Sequence, residues 1–580
     1  MNGGEIIAEV LKGQGVNFLF TLCGGHISPL LVGAKKHGLR VIDVRQEPTA
    51  VFAADAVSRL TGIPGVAAVT AGPGVTNSIT AVKNAQMAES PLILLGGATA
   101  TVLKGRGALQ DIEQIELYKT LTKWSASIEQ DCDIVPILEE AFDVAKSGIP
   151  GPVFIECPID ILYDEDLVRE WYNMKKESSK SASLSKRVIN WYLKRHVDKL
   201  FACSDKPIKT SQEEGEEIIP FSIKNEDIEI TASQINNFGK PILIIGSQAI
   251  LRTEETPDLA RSVKRLGLPV YLTGMARGLL GEKHPLQFHH GRSKALREAD
   301  LVILAGMPMD FRLDYGRAIN KKAYLIVINR DKGTFKNLRK ADLGIQADAS
   351  RFLQNLEQFK MHTNTFEGWF EKLNQWEMTG REKIEKFSTK QTDYINPLKL
   401  CKEVNKIIDD NSIIIGDGGD FVATASYIVE PRNYLSWLDP GPFGTLGIGA
   451  GFALGAKLVR PNAEVWLLYG DGAAGYSIIE FDTFKRHNIP IIAVIGNDAG
   501  WTQIARDQIE YLDDEVGTLL TYNNYDKLVE ALGAKGILIQ DEAEISDSLL
   551  LAKKIAKEGT PVLINALIGN TDFRKGSISM

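Results

Sequence analysis

Short apolar runs rich in β-branched residues alternate with segments of helical spacing in three successive stretches of the chain. This alternation is typical of parallel strands joined by helical crossovers. We therefore predict three consecutive α/β domains, each built on an open, mainly parallel sheet. A length of 580 residues has room for three or four domains.

The predicted domains cover residues 1–165, 228–360 and 380–580, and residues 166–227 form a linker with a docked helix. The predicted strands are 17–22, 41–45, 66–70, 92–95 and 153–156 in the first domain, 241–245, 270–272, 301–305 and 324–329 in the second, and 412–415, 464–469, 491–495 and 562–566 in the third. Helical spacing at 49–60 and 76–89 supplies crossovers in the first domain. Its strand ends carry the glycine-rich turns 24–25, 72–74 and 96–97, and ligands of open α/β sheets bind at such ends.

The linker changes in composition along its length. Residues 175–183 are polar and residues 212–217 are mostly acidic, as in solvated segments. Between them, residues 188–201 have near-helical apolar spacing, made by Ile189, Leu193, Val197 and Leu200 with Trp191 and Tyr192 beside them. We favour a helix docked on the protein. A helix lying on a membrane surface is the alternative.

Charge and cysteine usage restrict the class of protein. A net charge of -8 without a basic tract argues against nucleic-acid binding. The five cysteines form no CxxC pair, so we expect reduced thiols in a reducing compartment. No apolar run approaches the roughly 18 residues of a membrane span, and residues 1–14 show no signal-peptide pattern. The sequence alone therefore predicts a cytoplasmic protein.

The most informative polar motif lies in the third domain. Gly470-Asp471-Gly472 follows one predicted strand, and Asn497-Asp498 follows the next one after 24 intervening residues. Carboxylate and amide oxygens at neighbouring strand ends suit Mg²⁺, which commonly bridges to phosphate. The glycines allow the backbone to approach a diphosphate, and a following helix N-terminus would favour its charge. A plain strand-to-helix turn is the alternative, which the spacing to residue 497 disfavours.

The Gly470-Asp471-Gly472…Asn497 motif resembles the signature of thiamine-diphosphate-dependent enzymes. The family includes acetolactate synthase, benzaldehyde lyase, oxalyl-CoA decarboxylase and 2-hydroxyacyl-CoA lyase, and the resemblance covers nearly the whole chain. Residues 24–31, 439–447 and 496–504 are most similar to the animal acetolactate-synthase-like members. The resemblance implies a pyrimidine-binding, a central and a diphosphate-binding domain in that order.

The resemblance also implies the cofactor site. Glu47 matches the carboxyl group that hydrogen-bonds the aminopyrimidine ring and promotes loss of the thiazolium proton, although Gln46 replaces the usual preceding His. Leu446 matches the apolar wedge that bends the cofactor, with a core leucine as the alternative, and Gly444 matches the backbone carbonyl. The remaining expected contacts are Gly418, Gly419, Asp471, Gly472, Ala473, Asn497 and Asp498. The implied metal ligands are Asp471, Asp498 and the Gly500 carbonyl, although most relatives have Asn where this chain has Asp498.

Two further residues match substrate-handling positions of benzaldehyde lyase. His26 would take the proton of a substrate hydroxyl, and Gln110 would hold a carbonyl oxygen. A helix-capping or core role is the alternative for each. The resemblance favours cleavage of a 2-hydroxyacyl-CoA to formyl-CoA and an aldehyde one carbon shorter.

Acetolactate-synthase-type carboligation is the alternative reaction, and a catalytically silent scaffold is the alternative from another class. No fingerprint settles FAD, which acetolactate synthases normally hold in the central domain. The family further implies a homodimer or homotetramer whose active site is shared between subunits. Related animal proteins carry an N-terminal membrane anchor, so the endoplasmic reticulum membrane is the alternative location if the N-terminus is incomplete.

Overall fold

A computed structural model describes residues 1–172, 184–203, 221–362 and 366–576. The chain forms two compact units, residues 1–58 with 63–218 and residues 59–62 with 219–580. The polar runs expected at 175–183 and 212–217 lie outside the described residues. Among the helices of the described segments, none has both the length and the apolarity needed to cross a bilayer.

The first unit contains one six-stranded parallel sheet with the order β2-β1-β3-β4-β6-β5. Its strands are β1 (Phe18–Leu22), β2 (Arg40–Asp43), β3 (Gly65–Val69), β4 (Leu92–Ala98), β5 (Trp124–Ser127) and β6 (Pro152–Pro158). The helices that begin in this unit are α1 (Gly3–Gly13), α2 (Ser28–Lys36), α3 (Glu47–Thr61), α4 (Pro73–Asn77), α5 (Ile79–Met87), α6 (Gln114–Tyr118), α7 (Ile134–Lys146), α8 (Ile159–Leu162), α9 (Glu165–Trp171) and α10 (Leu184–Leu200).

The second unit contains two further parallel sheets, with the orders β11-β10-β9-β7-β8 and β13-β12-β14-β15-β17-β16. The central strands are β7 (Pro241–Ile245), β8 (Val270–Leu272), β9 (Leu301–Ala305), β10 (Tyr324–Asn329) and β11 (Leu343–Gln346). The third sheet comprises β12 (Ile413–Asp417), β13 (Trp437–Leu438), β14 (Val465–Gly470), β15 (Ile492–Asn497), β16 (Lys535–Ile539) and β17 (Val562–Leu567). The helices are α11 (Asn225–Asn237), α12 (Thr256–Leu266), α13 (Arg292–Glu298), α14 (Ala349–Leu356), α15 (Glu367–Ser388), α16 (Pro397–Ile407), α17 (Asp420–Ile428), α18 (Gly449–Val459), α19 (Asp471–Ser477), α20 (Phe481–Arg486), α21 (Thr502–Leu512), α22 (Tyr525–Ala531) and α23 (Ile545–Lys557).

Three parallel α/β sheets confirm the predicted fold class. Strands in the interior of each sheet are buried along their whole length, as expected when helices cover both faces of a parallel sheet. These strands are β4, β6, β9, β14 and β15. The first and third sheets share the same strand order, in which the chain passes to one side of the first strand and then to the other. Such a reversal leaves a crevice at the carboxyl ends of β1 and β3, and likewise of β12 and β14, where ligands bind in open sheets.

The expectation of five reduced thiols is wrong. Cys132 and Cys203 form a disulfide with their Cα atoms 5.3 Å apart, while Cys23, Cys157 and Cys401 are free. The pairing joins positions 71 residues apart in sequence, so neither spacing nor a local motif announces it. The Asp131 carboxylate accepts a hydrogen bond from the Cys203 backbone N–H at 3.0 Å, which holds the two segments together beside the bond.

The linker helix is docked over only part of its length. Helix α10 buries Val197 and Leu200 near its C-terminal end, as expected for a docked helix. Its preceding turns leave Val188, Ile189 and Trp191 more than half exposed. The docked interpretation is therefore confirmed for the C-terminal turns, and the N-terminal turns present an apolar surface to solvent.

Candidate active site

The crevice of the first sheet is shaped by the turns that follow β1 and β3. A methyl group on Gly24 would lie 2.3 Å from Thr70 Cβ, so only glycine allows this approach. Thr70 in turn leads directly into the turn Gly72-Pro73-Gly74, where α4 begins. The ends of the two strands are therefore packed against each other through Gly24 and Thr70.

His26 lies in this crevice, half-buried. Its Nδ1 atom is 3.2 Å from Thr70 Oγ1, within hydrogen-bond distance. Burial lowers the pKa of His26 below its ordinary value because desolvation disfavours the charged ring. The imidazole is therefore neutral at neutral pH, which leaves one ring nitrogen able to accept a proton.

Glu47 is buried near the same turn, with 8% of its surface exposed. Its Oε2 atom accepts a hydrogen bond from Asn77 Nδ2 at 3.1 Å, and a methyl group on Gly74 would lie 3.6 Å from its Oε1 atom. Glu47 is the first residue of α3, four residues past the end of β2. A carboxylate in the first turn interacts favourably with the helix dipole.

Gln110 approaches the turn from the other side and has an uncommon backbone conformation. Its φ is 62°, in the left-handed region that non-glycine residues rarely adopt. A methyl group on Gly72 would lie 2.9 Å from Gln110 Cβ, so the close approach also requires glycine. Positive φ values at non-glycine residues cluster at functional sites, where the surrounding structure holds the strain.

Gln114, which lies one turn beyond Gln110, fixes this arrangement. Its Oε1 atom accepts the Gly72 backbone N–H at 2.9 Å, and its Nε2 atom donates to the Gly97 carbonyl and to Glu156, each at 3.1 Å. The turns after β3 and β4 are thereby tied together. The loop of residues 70–74 thus lies close to Glu47, His26 and Gln110.

Sequence reasoning missed Thr70 and Asn77, which contact His26 and Glu47, and Gln114, which fixes the Gly72 turn. Thr70 and Asn77 lie next to the glycine-rich turn in sequence and Gln114 lies four residues beyond Gln110, and that proximity was the available signal. None of these three residue types indicates a role in a site by itself, because Thr, Asn and Gln are common in turns and caps.

The crevice of the third sheet is built almost entirely of backbone and glycine. The Gly418 carbonyl accepts the Gly470 N–H at 3.0 Å and joins the ends of β12 and β14. Gly418 and Gly419 have φ values of 49° and 104°. A methyl group on Gly418 would lie 2.0 Å from Leu446 Cδ2, so the half-buried Leu446 side chain lies directly on this glycine. Gly444, two residues earlier, is exposed and has a φ of 66°.

The segment that carries Leu446 is held by a buried carboxyl group. Asp417 Oδ1 accepts the Gly447 N–H at 3.0 Å, and Oδ2 accepts the Gly449 N–H at 2.8 Å. Burial raises the pKa of Asp417 to about 7, although the backbone N–H groups act in the opposite direction. Sequence reasoning missed this residue because it reads as the end of an apolar strand.

Asp471, which is buried, and Asp498, which is half-buried, form an acidic pair at the ends of β14 and β15. Their carboxyl groups hydrogen-bond each other, and the Gly500 N–H donates to Asp471 Oδ2 at 3.1 Å. Burial raises the pKa of both carboxyl groups, and the charge of Asp471 raises that of Asp498 further, to about 7. The structure therefore brings together the three residues predicted as metal ligands.

The neighbouring predicted contacts have different surroundings. A methyl group on Gly472 would lie 2.5 Å from the Trp501 ring, and Ala473 is buried beside it in the first turn of α19, which begins at Asp471. Asn497 is fully buried, and its Nδ2 atom donates to Asn565 Oδ1 at 3.1 Å and to the Asn523 carbonyl. Asn497 therefore anchors the loop that carries Asp498.

These residues fit a divalent cation and a diphosphate. Two adjacent carboxyl groups with raised pKa values are unfavourable in the ionised state, and a cation would neutralise both. Hard cations such as Mg²⁺ prefer oxygen ligands of this kind and are commonly shared with phosphate. The glycine-lined strand ends leave backbone groups open to a phosphate.

Family models match three segments of the chain in the order of its three sheets. Residues 1–117 match the N-terminal binding domain of thiamine pyrophosphate enzymes, residues 228–356 match their central domain, and residues 417–566 match their C-terminal binding domain. The chain belongs to the thiamine pyrophosphate enzymes. Both groups of site residues in this thiamine pyrophosphate enzyme lie in the segments that match binding domains.

Curated relatives of this thiamine pyrophosphate enzyme align along its whole length. A protein named 2-hydroxyacyl-CoA lyase 2 from Danio rerio is 47% identical over 592 residues, covering 100% of this chain and 93% of the relative. The protein of the same name from Homo sapiens is 46% identical, covering 100% and 92%. A probable acetolactate synthase from Mycobacterium bovis is 31% identical, covering 98% and 96%.

Proposed function

We propose that the chain is a thiamine-diphosphate- and Mg²⁺-dependent lyase that cleaves a 2-hydroxyacyl-CoA to formyl-CoA and an aldehyde one carbon shorter. The observation that carries the proposal is the grouping of Glu47, His26 and Gln110 around residues 70–74. Full-length similarity to proteins named 2-hydroxyacyl-CoA lyase 2 supports it. Thiamine diphosphate, when bound, supplies a carbon nucleophile and an electron sink.

Glu47 is the group that we assign to cofactor activation. Its buried carboxyl is fixed by Asn77 and has an oxygen near Gly74, so it can hold a proton at a ring nitrogen without competition from water. General acid–base groups of this kind typically contribute 10²–10⁴-fold to a rate. Gln46, which is exposed, takes no part in this assignment.

His26 is the base that we assign to the substrate hydroxyl. When Nδ1–H donates to Thr70 Oγ1, the Nε2 atom carries the free lone pair and can accept the hydroxyl proton as the carbon–carbon bond breaks. The proton that His26 takes from the hydroxyl would be returned to the carbon that becomes the formyl group, so the overall cleavage neither consumes nor releases a proton. Gln110 would donate to the substrate carbonyl oxygen.

The third sheet would hold the cofactor's charged end. We assign Asp471, Asp498 and the Gly500 carbonyl to Mg²⁺, and Gly418, Gly419, Gly472 and Ala473 to the diphosphate. Leu446 would be the wedge beneath the cofactor and Gly444 its carbonyl partner, since Leu446 is half-buried against Gly418. Asn497 would act indirectly, because its side chain is bonded within the protein.

We propose the domain bounds 1–165, 228–360 and 380–580, with residues 166–227 as the linker.

The cytoplasmic location stays a prediction. The Cys132–Cys203 disulfide counts against it because reducing compartments keep thiols free. FAD occupancy is tested by the visible absorbance spectrum of the purified chain.

We further propose that the enzyme is a homodimer or a dimer of dimers in which Glu47 and Asp471 of one active site come from different chains. Exposed apolar residues beside each group support an interface, namely Leu109 and Leu117 in the first unit and Ile504, Ile509, Tyr511 and Leu512 on α21. Mixed Glu47→Gln and Asp471→Asn chains would then regain activity, up to about a quarter of the wild-type value, since each mixed dimer contains one intact site. Mixtures that stay inactive after verified subunit exchange would contradict shared sites.

The substrate assignment is tested by product analysis. The purified chain, supplied with thiamine diphosphate and Mg²⁺, is incubated with a 2-hydroxyacyl-CoA or with pyruvate, and products are identified by mass spectrometry. We expect formyl-CoA and the shortened aldehyde from the first substrate, and neither product from Glu47→Gln. Acetolactate from pyruvate without cleavage of the acyl-CoA would favour the synthase alternative. No product from either substrate, with cofactor bound, would favour the silent scaffold.

A further inference from the structure

Helix α10 carries two apolar surfaces, of which the protein covers one. Val197 and Leu200, near the C-terminal end, are 0% and 2% exposed. Val188, Ile189, Trp191 and Tyr192, nearer the N-terminal end, are 59%, 56%, 62% and 48% exposed. We call these four residues the α10 face. Large apolar side chains that are exposed next to one another on a surface mark a candidate binding site.

The α10 face is amphipathic. At about 100° per residue, its four side chains fall within an arc of roughly 160° on one side of the helix. Asn190 and Lys194 lie on the opposite side and are exposed. At the same 100° per residue, the buried Leu200 lies only about 20° beyond Ile189 and Val197 about 80° beyond it, so the protein covers this side of the helix near its C-terminal end and leaves it exposed nearer the N-terminal end.

The C-terminal turns hold the helix in place. The His196 Nε2 atom is 2.8 Å from Thr101 Oγ1, and Arg169 Nη2 is 2.7 Å from Asp198 Oδ1. Three residues beyond the helix, Cys203 is joined to Cys132. The α10 face is therefore carried on a helix that is fixed at one end.

Helix α10 itself is positively charged. The helix sequence contains five Lys and Arg residues and one Asp, in a chain of net charge -8. That aspartate, Asp198, is already paired with Arg169. Arg195 lies within the arc, with its guanidinium 5.7 Å from the Trp191 ring centre. The surface therefore suits an anionic partner with an apolar layer beneath its charge.

We propose that the α10 face binds the surface of a membrane that contains anionic phospholipids. Trp and Tyr side chains prefer the boundary between headgroups and acyl chains, and Lys and Arg contact lipid phosphates. A second copy of this chain fits less well, because a two-fold contact would place the cations of one helix against those of the other. The proposal is independent of the reaction assigned above.

The full-length chain is tested by sedimentation with vesicles of phosphatidylcholine alone or with phosphatidylserine. We expect binding to the anionic vesicles that weakens with added salt, and little binding to the neutral ones. Trp191→Ser/Tyr192→Ser and Arg195→Glu should each weaken binding at least about tenfold. Leu550→Ser/Leu551→Ser, which changes two exposed leucines on α23, is the matched control and should bind like the wild type.

Three results would overturn the proposal. In the first, the wild-type chain fails to sediment with anionic vesicles. In the second, all variants bind the vesicles as strongly as the wild type. In the third, the wild type does not bind vesicles and the Trp191→Ser/Tyr192→Ser chain changes its oligomeric mass in analytical ultracentrifugation. The last result would identify the α10 face as a contact between copies. An unchanged melting temperature and circular dichroism spectrum of the α10 variants would show that a loss of vesicle binding does not reflect misfolding.

Discussion

The first and third sheets have the same strand order but carry different chemistry at the same edge. In both, the chain leaves the first strand through a glycine that makes room for a later side chain, Thr70 against Gly24 and Leu446 against Gly418. The first sheet gathers a neutral imidazole, an amide and one carboxyl group there. The third gathers two carboxyl groups and glycine backbone. Topology thus determines where a ligand can bind, and the side chains determine what each edge does to it.

This comparison separates proton chemistry from charge neutralisation. The first edge should govern turnover with little effect on cofactor binding, and the third should govern binding of the cofactor and metal. Variants at the two edges therefore ought to fail in different assays.

Glu47→Gln tests the first edge and should have the largest effect on rate. We expect turnover to fall about 10²–10⁴-fold, because the amide cannot exchange the proton that the carboxyl group holds. Thiamine diphosphate affinity, measured by calorimetry, should change little. Asn77→Ala is the matched control, since it removes only the hydrogen bond at 3.1 Å and should lower the rate far less. Retention of more than about a tenth of the wild-type rate would contradict the assignment.

Asp471→Asn tests the third edge. We expect loss of measurable Mg²⁺ binding and of Mg²⁺-dependent cofactor binding, because one of two clustered carboxylates disappears. Calorimetric titration with Mg²⁺ and thiamine diphosphate measures both. Asp420→Asn, at an acidic residue that pairs with Arg506, is the control and should bind normally. An Asp471→Asn chain that binds cofactor normally but turns over slowly would contradict the proposed division of roles between the two sheet edges.

His26→Ala divides the first edge further. Cleavage of the 2-hydroxyacyl substrate should fall about 10²-fold, while decarboxylation of any accepted 2-oxo acid should persist, since that reaction removes no hydroxyl proton. Because burial lowers the pKa of His26, wild-type cleavage should also keep its rate below pH 6.5, the ordinary value for histidine. Both rates are followed by product formation. A parallel loss of both would make His26 structural.

The sequence predicted the interior strands of the described sheets well and missed four of their six edge strands. Strands β7 to β10 have the predicted bounds, because each is a continuous apolar run flanked by turn residues. Four strands were missed, and they lie at sheet edges or are short, so that a half-polar sequence is enough to form them: β5, β11, β13 and β16. Edge strands pack on fewer neighbours, so their sequence carries a weaker signal.

The site divides in the same way. Glycines and carboxylates at strand ends could be predicted because their chemistry is specific to the position. Thr70, Gln114 and Asp417 could not, since their roles depend on contacts between turns distant in sequence. The Cys132–Cys203 pairing was missed for the same reason.

Asp498→Asn tests a position at which this chain has Asp and most relatives have Asn. The amide still offers an oxygen to the cation, so we expect activity within about tenfold of wild type and weaker Mg²⁺ binding, owing to the lost charge. Mg²⁺ titration of activity at fixed thiamine diphosphate measures the shift. Asn497→Asp, at the neighbouring buried residue, should be more harmful because it breaks the bond to Asn565. Equal effects of the two changes would contradict their different assignments.

Asp417→Asn is expected to have the smallest effect and to depend on pH. Leu22 ends β1 at the place where Asp417 ends β12, so only the third sheet has a titrating group there. The pKa of Asp417 is raised from 3.8 in the unfolded chain to about 7 by burial. The folded protein therefore binds the proton more tightly, and the stability that this proton supplies is complete below pH 3.8 and is lost as pH rises to about 7. The asparagine variant lacks this loss, so its melting temperature should improve relative to wild type between pH 5 and about 7. Leu22→Val should shift the melting temperature equally at every pH, and a pH-independent difference for Asp417→Asn would show that the carboxyl group does not titrate in this range.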